Sequence, residues 1–286
     1  MSTDDSSSSI VSTILYDYMV PFLTGNFPYS VEFRLFFQGL AVFMAIKKAQ
    51  NKKHWFHTFC IGLVTAFGGG MFTPIWLGRP SFLIANDLLF GLAALAYTIV
   101  FILPFGFFIG QLFPVKLVTT AGSTLFKSTG VCVFASIANE VVQPSKYYPI
   151  PVFGPIIWAT LLANMGAFFL KGFHKHIENG IPYPAQNALF CATFYHFYVN
   201  DATGGIGIMM RKVIQEYMML PTLMQLGKLE DKNFAVFVVS LFMQLVSILQ
   251  MNLFFGPTFN PYNIFARKPK QSATKTKIEN DRKKKQ

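Results

Sequence analysis

The chain of 286 residues is 52% hydrophobic and 16% aromatic but only 13% charged, about half the charged share of an ordinary soluble domain. That depletion excludes a soluble globular protein. The net charge of +11 does not point to nucleic acid either, because residues 267–285 hold nine Lys/Arg and two acids and so carry +7 of it. Cys60, Cys132 and Cys191 all lie in apolar segments, which gives neither a disulfide framework nor metal-ligand spacing.

Taken in order, residues 1–28 begin with the acidic, polar MSTDDSSSS and lack the basic start of a secretory signal. A first membrane span is expected over Tyr29–Ile46, ending at the basic loop Lys47–Lys53. The second, about Trp55–Leu77, lies in a 25-residue charge-free run from His54 to Gly78. At ~1.5 Å per residue that run is long enough to cross a ~30 Å hydrocarbon layer. Gly68, Gly69 and Gly70 sit at its centre, and each costs a helix roughly 1 kcal/mol relative to Ala. Three in a row predict a kinked or broken span with freed backbone groups lining protein or water. Close helix packing is the alternative.

Leu88–Val115 is charge-free over 28 residues, more than one crossing needs, and Pro104 and Gly106 divide it. A third span is expected over Ile84–Leu103 and a fourth from Phe107 to about Phe126. Tyr147–Leu170 gives a fifth from Pro151, with the small-residue centre Ala163-Asn164-Met165-Gly166. The sixth runs from Pro184 to Asn200. Residues 201–232 read as a loop outside the membrane, carrying a short amphipathic helix near Met209–Leu220 on the interface. Asn233–Phe255 is the seventh span, and a basic, disordered tail follows. The domains are therefore an N-terminal segment (1–28), a seven-helix transmembrane domain (29–255) and a C-terminal tail (256–286).

Seven spans place the basic loops and the tail on one face, which positive-inside logic makes cytosolic, with the N-terminus lumenal. A faint repeat supports two inverted three-helix halves plus a seventh helix: Gly78-x-Pro80 with Asn86-x-Leu88, then Gly180-x-Pro182 with Asn187-x-Leu189.

Lys116, in LFPVKLVTT, lies deep in an apolar segment, where a cation costs at least ~2.5 kcal/mol. It is expected to face water or the glycine break, with Pro114 loosening the helix just before it. There it would act as a voltage-responsive plug, since moving one charge across 100 mV is worth ~2.3 kcal/mol. Lys127 is a candidate for binding a lipid phosphate. His174 and His176 are a poor metal pair. No nucleophile triad, phosphate loop or metalloenzyme motif supports an enzyme. Lys283 and Lys284 stand at the positions of a dilysine retrieval signal, a receptor-read address for a cytosolic tail.

FGGG followed by LGRP, and LFPVKLV further on, resemble the glycine-rich kink, the LGEP turn and the FLPVKL segment of the trimeric intracellular cation channel family. YPAQNALFCATF and the last span are similar to its sixth and seventh helices. The resemblance implies a homotrimer with a pore through each protomer, conducting potassium across endoplasmic or sarcoplasmic reticulum as counter-ion to calcium. It also implies Gly68, Gly69, Gly70, Pro114, Lys116, Asn164 and Gly166 around that pore, and a bound phosphoinositide near Lys127. The sequence departs from the family at Arg79, which replaces an acid, and at Ser123–Lys127, where only the last residue of a basic segment remains. An inverted-repeat secondary transporter is the alternative.

Overall fold

The structure is a computed structural model that describes residues 14–49, 54–171, 181, 183–217, 230–251, 254–256 and 260–264. Among these residues it is helical throughout, with no strand. The α-helices in order are α1 (Val20–Thr24), α2 (Ser30–Lys48), α3 (Trp55–Trp76), α4 (Phe82–Ala85), α5 (Leu88–Tyr97), α6 (Gly106–Gln111), α7 (Phe113–Val141), α8 (Phe153–Lys171), α9 (Tyr183–Tyr195), α10 (Gly205–Tyr217) and α11 (Asp231–Leu249). Single π-helical turns extend α5 through Thr98–Ile102 and α9 through His196–Asn200.

Among the described residues three helices, α3, α7 and α11, are long and apolar enough to cross a membrane, and Leu88–Ile102 and Phe153–Gly166 are shorter apolar helices. The chain is a multi-pass membrane protein. Its core divides in two. One cluster joins Leu35 and Phe43 of α2 to Leu63 and Phe67 of α3 and to Leu89 and Ala93 of α5. The other joins Val131 and Ala135 of α7 to Ala159 of α8, Cys191 and Tyr195 of α9, and Phe237 and Val239 of α11. Between the halves, α2 packs on α7 and α3 packs on α8.

Contacts between helix ends sort into two faces. On one, Trp76 meets Trp158 edge to face, Arg79 pairs with Glu140 at 3.7 Å, and the Tyr148 hydroxyl reaches Asp201. Both members of the Arg79–Glu140 pair are exposed, so it contributes little. On the other face, the Lys47 ammonium donates to the Val100 carbonyl and lies over the Phe101 and Phe107 rings. There too Asn260 and Tyr262 bond to Gln186 and Asn187 at the start of α9.

Two expectations about helix continuity are corrected. α3 runs unbroken through Gly68–Gly70. A Cβ on Gly69 would lie 1.6 Å from the Leu162 oxygen, and one on Gly166 would lie 2.2 Å from the Val64 oxygen. These residues are small because α3 and α8 cross there nearly backbone to backbone, and that packing outweighs their poor helix propensity. The fourth span begins at Phe113 rather than Phe107 and runs to Val141 rather than Phe126. Pro114 sits in its first turn, where the missing N–H costs no hydrogen bond, so the proline opens this helix and does not loosen it. On either side of Phe126, polar groups of α7 find partners on α11. Thr124 donates to Ser247 at 3.1 Å, Ser128 meets Ser240 at 2.9 Å, and Gln244 donates to the Ala121 carbonyl at 2.7 Å.

Candidate functional site

The α3–α8 crossing, flanked by α2 and α7, leaves a cavity of about 360 Å³. Small residues border it: Gly69 and Gly70 on α3, Gly130 on α7, and Ala163 and Gly166 on α8. Polar and charged side chains line it as well, namely Arg34 and Gln38 of α2, Thr65 of α3, Lys127 and Thr129 of α7, and Asn164 of α8. Among the described residues none of the lining side chains is acidic.

Each polar group is held by a helix backbone or a neighbouring helix. Arg34 is one turn into α2; its Nε donates to the Ser30 carbonyl at 2.9 Å and an Nη to the Thr129 hydroxyl at 2.7 Å. These bonds brace the guanidinium across the gap between α2 and α7. Gln38, a further turn along and 3% exposed, donates through Nε2 to the Ala66 carbonyl at 2.9 Å. Its Oε1 is buried without a hydrogen-bond partner among the described residues. Leaving a buried acceptor unpaired costs about 1–3 kcal/mol, so this oxygen favours a donor or a cation beside it. Asn164 and Thr65 bond back to the Thr160 and Ile61 carbonyls, which fixes their rotamers without closing the space.

Of the residues expected to line a pore, Gly69, Gly70, Asn164 and Gly166 do line this cavity. Gly68 instead packs its Cα against Gly166, where a Cβ would stand 2.8 Å from the Gly166 Cα. Lys116 does not join them. It lies in the first turn of α7, part-exposed, its N–H bonded to the Leu112 carbonyl at 2.9 Å, and neither it nor Pro114 lines the cavity. The lysine that stands with the glycines is Lys127, eleven residues further along the same helix. Sequence reasoning also missed Arg34, Gln38 and Thr129. Arg34 is a cation one turn inside a span, a signal present in the sequence. His174, His176, Lys283 and Lys284 lie outside the described residues.

A second polar cluster sits where α9 gives way to α10. Asp201 is fully buried; its Oδ2 accepts from the Tyr148 hydroxyl at 2.7 Å and the Gly207 N–H at 3.0 Å. The hydrogen bond to this carboxylate holds the Tyr148 phenol above its ordinary pKa. Arg211 of α10 donates to the Tyr198 carbonyl at 2.7 and 2.9 Å and pairs with Asp231 at 2.8 Å, tying α10 to the ends of α9 and α11.

A family model described as a glycine transporter matches residues 35–104, which span α2, α3 and α5. Among solved structures, a trimeric intracellular cation channel from C. elegans with bound Ca2+ shares the fold. It is 14% identical, with 86% of this chain and 98% of that chain covered and a TM-score of 0.50. No curated protein matches the chain. The chain thus shares a matched segment with the family model and an architecture with the solved channel.

Proposed function

We propose that the chain is a monovalent cation channel, and that the cavity among α2, α3, α7 and α8 is its conduction path. The observation that carries this reading is the polar lining of a gap between apolar helices, bordered by Gly69, Gly70 and Gly166, where Gln38, Asn164 and Thr65 offer oxygens. Weak oxygen sites of this kind let an ion shed part of its hydration without being trapped. Potassium is the permeant ion in this reading. The protein would be a homotrimer of seven-span protomers in the endoplasmic or sarcoplasmic reticulum, with the N-terminus lumenal, carrying counter-ion flow during calcium release and uptake.

Two cations in a cation path call for a gate. Arg34 is braced by two helices and stays put, whereas Lys127 has a flexible four-carbon stem. In this proposal Lys127 takes the gating place expected of Lys116, occupying the path when the membrane field drives it inward and leaving it when the field reverses. A phosphoinositide headgroup fits the same chemistry, since Arg34 and Lys127 on neighbouring helices would both meet its phosphates and no acidic lining side chain among the described residues would repel them.

The decisive recording uses purified protein in a planar bilayer under a potassium gradient. Unitary current steps that reverse near the potassium equilibrium potential support the channel; their absence from protein shown to be inserted overturns it. The family model's description favours a second reading, a secondary transporter for a small amino acid, in which Arg34 and Lys127 would hold a carboxylate. That reading expects saturable uptake of the amino acid into vesicles without current steps.

A further inference from the structure

α10 buries one side and leaves two different edges outside. Met210 and Ile214 pack on the core shared with α9 and α11. Gly207 is buried where a Cβ would stand 1.9 Å from the Asp201 oxygen, and Arg211 points back to Tyr198 and Asp231. At about 100° per residue these four positions fall within one ~100° arc. On one flank of that arc stand Ile206, Met209 and Val213, which are 45%, 67% and 42% exposed and spaced to form a single row. Beyond that row stand Lys212 and Glu216, also exposed. Ile208 stands apart from the row.

The helix is fixed in place by its ends and flank, so the direction of that row is set by the bundle. Asp201 holds its N-terminus through Gly207, and Arg211 ties its middle to the last turn of α9 and the first of α11. It is therefore fastened to the ends of α9 and α11, on the face that also carries Tyr148. On that same face Ile75 and Trp76 close α3, Val141 closes α7 and Phe153 opens α8, all exposed. Apolar and aromatic side chains at helix ends mark the boundary between hydrocarbon and headgroups. The row on α10 continues that rim.

We infer that α10 is a membrane-surface anchor whose edge Ile206–Met209–Val213 is immersed among lipid acyl chains while Lys212 and Glu216 face water. The occupant of this edge is the bilayer itself, not a second copy of the chain. The two exposed charges on the helix cancel, so the attachment rests on apolar burial and works on a zwitterionic lipid surface. It depends on the bundle sitting in a bilayer and not on ion conduction.

The test uses the full chain with Cys60→Ser, since Cys132 and Cys191 are buried and do not label. A nitroxide is attached at Met209→Cys or at Lys212→Cys, and the protein is reconstituted in phosphatidylcholine vesicles. Power saturation then compares oxygen with a water-soluble nickel chelate. The expected result is at least a several-fold preference for oxygen at 209 and for nickel at 212, unchanged by phosphatidylserine or by high salt. Equal nickel access at both sites would overturn the inference. So would exclusion of both reagents at 209 with dipolar broadening, which would make the edge a contact between copies. An oxygen preference that develops only with phosphatidylserine would overturn the zwitterionic attachment.

Discussion

Gly69→Ala puts the α3–α8 crossing to its sharpest test. The added methyl would stand 1.6 Å from the Leu162 carbonyl oxygen, 2.5 Å from its carbon and 2.9 Å from its Cα. All three are backbone atoms, so no side-chain rotation relieves them, and reaching even 3.0 Å from the oxygen demands a shift of about 1.4 Å. A radial gap of about 0.5–1 Å already forfeits a quarter to a half of a dispersion contact, and this gap would open along much of the crossing. Against that, alanine improves helix propensity by about 1 kcal/mol. Overpacking costs about 1–3 kcal/mol before the loss of neighbouring contacts is added, so sterics win and the net loss should be about 2 kcal/mol or more. Gly91 is the control, being helical with nothing within 4 Å of an added Cβ. Gly70 is the intermediate case, since its Cβ would meet the Phe82 Cβ at 3.4 Å, an ordinary contact. Thermal midpoints of the purified variants in detergent, read by size exclusion after heating, should fall for Gly69→Ala, stay near wild type for Gly70→Ala and hold or rise for Gly91→Ala. Equal midpoints for Gly69→Ala and Gly91→Ala would refute the close crossing.

Other consequences follow from single contacts. Tyr148→Phe removes the hydroxyl that donates to the buried Asp201 carboxylate, so the midpoint should fall at neutral pH. The folded-state pKa of Tyr148 lies above the ordinary value of 10.0, so its contribution is complete below pH 10 and is lost as pH rises through the folded value. Wild type should therefore lose stability above pH 10 more steeply than Tyr148→Phe, and parallel curves would remove the hydrogen bond from the account. Arg211→Lys keeps the charge facing Asp231 but cannot present two N–H groups to the Tyr198 carbonyl, which should cost about 1–2 kcal/mol in a chemical denaturation series. In bilayers, Lys127→Ala should change open probability more than Lys116→Ala; the reverse order would return the gate to Lys116.

Much of the helical plan is legible from apolar runs, because membrane helices are set by length and the absence of charge. Trp55–Trp76 and the start of α9 fall within a residue or two of expectation for that reason. The same signal failed beyond Phe126, where Lys127, Ser128 and Thr129 look like a span's end. They are polar because α7 faces α11 and the cavity, and partner hydroxyls on another helix are invisible to a hydropathy count. The glycines illustrate a second limit. Their spacing announced a special place in α3, but whether the backbone breaks or another backbone approaches depends on Gly166 and Leu162, about 100 residues away. Lys116 stands out in sequence because it is an isolated lysine in an apolar stretch. Pro114 starts a helix there, so that lysine falls in a first turn, and Lys127, hidden among polar neighbours, lines the cavity.

The central claim is that ions pass through the cavity among α2, α3, α7 and α8. Thiol accessibility during current recording tests it most directly. With Cys60→Ser as background, Asn164→Cys lines the cavity, whereas Val118→Cys lies 45% exposed outside its lining. A charged methanethiosulfonate reagent should reduce the unitary potassium current through Asn164→Cys and leave Val118→Cys unchanged. Conduction through Asn164→Cys that survives modification, shown complete by mass, would contradict the account.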